Sequence, residues 1–177
     1  MTQYDWSIEL NRLFEQVGAV KENVRQCLSQ VYGQRGLEWN DLVVKNLIGD
    51  IHTRCLAAFM QRKFSQNGVQ TVISYEAILS PTKCRADILI NNRIDIENKA
   101  QGIFSLSELR ERWNRLNEMV PNKEHVLVSW RHNLSYIEKI REFMPSSHHY
   151  YFHILNTGEN QPSELERLIN NGLNWLR

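Results

Sequence analysis

The stretch RADILINNRIDIENKA, residues 85–100, constrains the fold more than any other part of the chain. Residues 86–90 and 94–98 alternate apolar and polar side chains around Asn91-Asn92-Arg93, a pattern that predicts two antiparallel strands joined by a three-residue loop. Pairing across that loop sets Asp87 opposite Glu97, Ile88 opposite Ile96, Leu89 opposite Asp95 and Ile90 opposite Ile94. One face of the hairpin is then aliphatic. The other gathers Asp87, Asp95, Glu97 and Lys99, because side chains alternate along a strand and 95, 97 and 99 share a side. A one-residue slip would put Glu97 across from Ile88 and scatter the acids. Directly opposed carboxylates repel, so the pattern calls for positive charge between Asp87 and Glu97, and a divalent cation is its natural source.

The rest of the chain changes period around this hairpin. Residues 7 to about 31 carry Leu10, Leu13, Phe14, Val17, Val20, Val24, Cys27, Leu28 and Val31 at helical spacing, and a second helix is expected to open after Asn40, its cap, and run to about Phe64, stopped by Asn67-Gly68. Residues 69–79 read as a strand that Ser80-Pro81 breaks, which makes the hairpin the second and third members of a meander. Ser105 and Glu108 form a capping box for a helix bearing Leu106, Leu109, Trp113, Leu116 and Val120, closed by Pro121. HVLVSW at 125–130 is a candidate strand covered on both faces. A further helix, a strand at 150–155 and a helix over 163–176 complete the order ααβββαβαβα. Hairpin strands followed by alternating helices and strands predict an α/β domain with a mixed sheet between helices. At 177 residues the expectation is one domain: an N-terminal helical extension over 1–40, a core over 41–131 and an αβα addition over 132–177.

Charge and composition bound the function. Net charge is +1, which argues against a strongly basic nucleic-acid binder. Its distribution is uneven: residues 51–115 hold ten Lys and Arg against six acids, four of which are Glu76, Asp87, Asp95 and Glu97. A basic zone therefore surrounds a small acidic cluster. The three cysteines are far apart and odd in number, against a disulfide framework or a zinc ribbon, and no window approaches the apolar length of a membrane span. A cytoplasmic protein is expected. His148, His149 and His153 lack the spacing of a metal site, and the chain contains no Gly-rich phosphate loop, nucleophile elbow or dinucleotide fingerprint.

Hard oxygen ligands in this arrangement suit Mg²⁺, which takes one or two carboxylates and fills its other positions with water and phosphate oxygens. The ion would activate a water and neutralise charge developing on a phosphoryl group, with Lys99 orienting the water or stabilising the crowded phosphorus. The chemistry implied is phosphodiester hydrolysis. Asp87, nine intervening residues and then Glu97-Asn98-Lys99, the one E-x-K triplet in the chain, resembles the active-site signature of the PD-(D/E)XK nuclease superfamily. That family's core, a helix, a three-strand meander, a crossover helix and a further strand, is similar to residues 41–131. The resemblance implies a restriction-endonuclease-like fold, with Asp87 and Glu97 as metal ligands, the Asn98 carbonyl as a further donor and Lys99 as the catalytic lysine. Ala86 stands where the family's name has proline. Some members add an acid from the first strand or first core helix, for which Glu76 is the preferred candidate and Asp50 the other. Asp95 either joins the cluster or pairs with Arg93 or Lys99.

These readings converge on a Mg²⁺-dependent endonuclease acting on DNA, with Mn²⁺ as a substitute metal and RNA left open as a substrate. Restriction-type cleavage and a homodimer suit a small enzyme facing a two-fold duplex. Arg110, Arg112 and Arg115, on the helix after the motif, and Gln101 are candidate phosphate contacts. Three alternatives stand beside this one: a nuclease fold that binds nucleic acid or assembles without cutting, an interaction protein, and a plain polar edge hairpin with Lys99 paired to a neighbouring acid.

Overall fold

The computed structural model describes residues 49–99, 105–129, 134–142, 148–154 and 162–177, and positions 19, 22, 23, 26, 27, 30 and 46 before them. The chain divides into two compact units, Met1–Leu56 and Ala57–Arg177, a boundary that falls inside the second expected helix. In the first unit every described residue is helical, in keeping with the 3.6-residue period read there. Cys27, counted in the apolar stripe, is exposed. Asp50 is exposed and paired with Arg54 one helical turn on, at 2.9 Å.

The second unit opens with helix α1, helical over residues 57–66. It ends in a Schellman arrangement: Gly68, at φ +75°, donates to the Ser65 carbonyl, and Val69 donates to that of Phe64. Only a residue without a Cβ takes that conformation freely, which is why Asn67-Gly68 works as a stop signal. Strands β1 (Ile73–Ile78), β2 (Arg85–Ile90) and β3 (Ile94–Lys99) follow, then α2 (Leu106–Met119), β4 (Glu124–Ser129), α3 (Leu134–Glu142), β5 (His149–His153) and α4 (Pro162–Leu176). The sheet is ordered β1-β2-β3-β4-β5, antiparallel through the meander and parallel from β3 onward. This is an α/β unit with a five-stranded mixed open sheet flanked by helices. No described helix is long and apolar enough to cross a membrane.

The hairpin register is the one the alternation predicts: Ile88 pairs with Ile96, Leu89 with Asp95 and Ile90 with Ile94. Asn91 and Asn92 take φ of +50° and +53°, and Arg93 donates to the Ile90 carbonyl at 2.9 Å, a tight turn that asparagine tolerates in the left-handed region. Lys123 donates to the Asn92 carbonyl and to its side chain, and the Glu124 amide donates to Arg93. These contacts tie the hairpin tip to the start of β4 and help set the parallel register. β1 begins at Ile73, four residues later than the apolar pattern suggests. The Asn91 side chain takes the Val72 amide and the Gln70 carbonyl, engaging backbone groups that a longer strand would use in its ladder.

Parity divides the sheet. Ile88, Ile90, Ile94, Ile96, Val126, Val128 and Phe152 are buried on one face, where α4 lays Arg167 over the Phe152 ring and Trp175 against Tyr150. On that side α4 also approaches α1 closely: a Cβ built on Gly172 would lie 2.6 Å from the Phe64 ring, so a larger residue would force that buried ring to shift. The second face carries Leu89, Leu127 and Tyr151, packed with Leu109, Trp113 and Leu116 of α2 and Ile140 of α3. It is also the face on which the polar residues collect.

Candidate active site

Asp87 and Glu97 lie on neighbouring strands, one register step beyond the Ile88–Ile96 pair. The Asn98 amide donates to Asp87 Oδ2 at 2.6 Å, a contact across the hairpin that holds the carboxylate against β3. Lys99 Nζ lies 2.5 Å from Glu97 Oε1. Arg112, rising from α2, places Nη2 at 3.2 Å from Glu97 Oε2 and 3.7 Å from Asp95 Oδ1, while donating to the Arg85 carbonyl at 2.6 Å. Thus the two oxygens of Glu97 face two different cations. Among the described residues no side chain forms an ion pair with Asp87.

That difference shows in the proton affinity of Asp87, which is pushed up from the ordinary 3.8 to about 6. Burial is the main cause, and the Glu97 charge adds to it. The Asn98 N–H and Lys99 pull the other way, and Glu76 contributes a small further rise. The two carboxylates therefore sense each other's charge, and the cations Lys99 and Arg112 are both paired with Glu97.

Asp95 is not part of that opening. It is buried, and Oδ2 lies 2.5 Å from His125 Nδ1, with the His125 Nε2 3.1 Å from the Val120 carbonyl. Its partners are His125 and Arg112, where the sequence suggested Arg93 or Lys99. Glu76 has φ +50° within the edge strand β1, and its exposed carboxylate faces Arg85 at 3.4 Å. It reaches Asp87 through its charge, and among the described residues its ion pair is with Arg85. Arg110 is exposed, and Arg115 pairs with Glu111 at 2.6 Å on the surface of α2. Gln101 lies outside the described residues. Asp87, Glu97, Lys99 and Arg112 are brought together, with Glu76 at the margin and Arg110 and Arg115 on the outer helix surface.

Sequence reasoning missed the polar members of β4 and β5. His125 and Ser129 alternate with Leu127 on the face that carries Asp95, Glu97 and Lys99, and parallel pairing puts Ser129 beside Lys99. Ser129 Oγ lies 2.7 Å from Tyr151 Oη and 3.0 Å from His153 Nδ1, all within the buried sheet. A usable signal was present: the polar residues of HVLVSW and HYYFH fall on one parity, so those strands have one polar face each.

Among the described residues, no group of three or more His, Cys, Asp and Glu converges as a metal cluster. Two facing carboxylates, one without a counter-cation, nonetheless suit a hard divalent ion that keeps most of its coordination for water and phosphate oxygens. Asp87 and Glu97 would hold it. No family model, no curated protein and no solved structure matches the chain.

Proposed function

We propose that the chain is a Mg²⁺-dependent endonuclease that hydrolyses DNA phosphodiester bonds on a restriction-endonuclease-like fold. The observation that carries this reading is the convergence of Asp87, Glu97 and Lys99 on one face of adjacent strands, with the register Ile88–Ile96 aligning the two acids. The order α1, β1-β2-β3, α2, β4 supports it, as does a cation-poor Asp87 beside a cation-rich Glu97. When bound, the ion would supply Lewis acidity toward water and phosphate.

The chain's own residues divide the remaining work. Asp87, fixed by the Asn98 amide, presents a carboxylate whose ionisation is favoured once positive charge is near it. Glu97 shares that charge and anchors Lys99. The Lys99 ammonium orients an attacking water or stabilises negative charge on the phosphoryl oxygens. The cluster of Asp87, Glu97, Lys99 and Arg112 sums to zero formal charge with both acids ionised, so a divalent ion makes it net positive and attractive to a phosphodiester. Arg110 and Arg115 stand outside it, as candidate backbone contacts. Mn²⁺ would substitute for Mg²⁺. A homodimer of restriction type would match a two-fold duplex.

Incubation of supercoiled plasmid with the chain and Mg²⁺ tests this. Nicking is expected, reduced about 10²–10³-fold in Lys99→Ala and lost in Asp87→Ala. Equal nicking by all three proteins would overturn the assignment. One observation favours a second reading, a nucleic-acid-binding subunit that no longer cuts: both Glu97 oxygens are already engaged, by Lys99 and by Arg112. DNA binding without nicking in Mg²⁺ or Mn²⁺ would select it.

A further inference from the structure

We infer that Arg112 is a positioning residue of the cation site, held by the buried Asp95–His125 pair and the Arg85 carbonyl so that it fixes the carboxylate of Glu97. This rests on the reading of Asp87 and Glu97 as metal ligands. The chain of contacts runs through four elements, β4, β3, α2 and β2. His125 on β4 has an acceptor at each ring nitrogen, the Val120 carbonyl at 3.1 Å and Asp95 Oδ2 at 2.5 Å. A carbonyl cannot donate, so Nε2 carries a hydrogen. With a partner at each ring nitrogen, the imidazole is locked in orientation from both ends and in turn holds Asp95.

Asp95 offers its other oxygen to Arg112 at 3.7 Å, and the Arg85 carbonyl accepts from the same guanidinium at 2.6 Å. With the Arg112 side chain 18% exposed, Glu97 Oε2 meets a guanidinium whose place is set by the fold. Lys99, 33% exposed, approaches Oε1 from the open side. One oxygen of Glu97 is thus fixed by Arg112, and the other meets the more exposed Lys99. All three approaches are made by one nitrogen, Nη2, which donates to the Arg85 carbonyl and lies within ion-pair distance of both Glu97 and Asp95, so the guanidinium is seated at a fixed point between the two acids. Residues that orient a ligating carboxylate in this way set metal affinity as well as geometry.

The test reads Mn²⁺ alone, by calorimetric titration in the absence of nucleic acid, alongside thermal melting. Wild-type chain is expected to bind Mn²⁺ at a site abolished by Asp87→Asn. Arg112→Met should weaken that binding by about 10–100-fold. Arg112→Lys, which keeps the charge and loses the planar guanidinium, should fall between wild type and Arg112→Met. Leu168→Ala, a core substitution in α4, should lower the melting temperature and leave Mn²⁺ affinity within twofold, separating positioning from general destabilisation. Unchanged or tighter Mn²⁺ binding in Arg112→Met would overturn the inference, the latter by showing that Arg112 acts as a repelling charge. A wild-type chain that binds no Mn²⁺ would overturn it too. Plasmid nicking with unaltered Mn²⁺ affinity in Arg112→Met sinks the inference and leaves the nuclease reading standing. Weakened Mn²⁺ binding without nicking does the reverse.

Discussion

Asp95 and Asp87 sit on one face of one sheet, a strand apart, in opposite surroundings. Asp95 is 2% exposed and enclosed by His125 and Arg112, each of which has a further acceptor of its own. Asp87 has one backbone amide and the field of Lys99, against burial and the charges of Glu97 and Glu76. A buried acid whose hydrogen bonds and charge are met belongs to the architecture. An acid left short of positive charge, at the edge of that architecture, is where the proposed cation would bind. The contrast also explains how the fold tolerates Asp87: the same Arg112 that Asp95 holds neutralises Glu97, so repulsion between Asp87 and Glu97 is softened from one side.

The enclosed region should break hardest. His125→Ala removes one partner of a buried pair and leaves Asp95 with the more distant Arg112 alone, a change expected to lower unfolding free energy by about 3–5 kcal/mol. Urea denaturation at pH 7 measures it. A loss below about 1 kcal/mol would show that Asp95 does not rely on His125, and the contrast with Asp87 would collapse.

The open region should respond in the other direction. The folded-state pKa of Asp87, about 6, is above the ordinary 3.8, so between those values the folded chain holds a proton that the unfolded chain has released. Its contribution favours folding most at acid pH, declines as pH rises from about 4 toward 6, and becomes a constant penalty beyond. Asp87→Asn still offers an oxygen to the Asn98 amide and carries no charge. It is expected to stabilise the cation-free chain by about 1–2 kcal/mol at pH 8, with little gain at pH 4. Millimolar Mn²⁺ should then raise the melting temperature of the wild type and leave that of Asp87→Asn alone. A destabilised Asp87→Asn at pH 8 would mean that the carboxylate is better served by the fold than its surroundings suggest.

How much of this contrast could be read from the residues follows from the range of the interactions involved. The hairpin was legible because its register depends on local quantities: side-chain parity, and a turn that Asn91 and Asn92 close within four residues. Asp87 facing Glu97, with Lys99 beside it, followed from the same parity. The helix stop at Asn67-Gly68 was legible for the same reason. The enclosure of Asp95 was not. It needs His125, thirty residues on, to arrive by parallel pairing, and it needs the rotation of α2 about its axis, which turns Arg112 inward and leaves Arg110 and Arg115 outward. A sequence shows that three arginines share a helix; which of them points at the sheet depends on how Leu109, Trp113 and Leu116 seat. The late start of β1 had the same origin, since a side chain at position 91 ties down the backbone at 70 and 72.

The smallest effect sharpens the contrast along one helix. Arg115 lies one turn from Arg112 and pairs with Glu111 on the surface, their side chains 42% and 72% exposed. Exposed pairs of this spacing contribute about 0.3–0.5 kcal/mol, because water screens the charges and both side chains lose freedom in meeting. Arg115→Ala should therefore change urea stability by no more than about 0.5 kcal/mol and leave Mn²⁺ affinity untouched, against the expected loss in Arg112→Met. If Arg115 touches a nucleic-acid backbone, its removal should reduce the salt dependence of DNA binding by about one counterion. An unchanged salt slope would place it outside the interface and leave the electropositive contribution of α2 to Arg110. A large loss of stability would instead show that the outer surface of this helix is held as firmly as its inner one, and the line drawn between enclosed and open charge would have to move outward past α2.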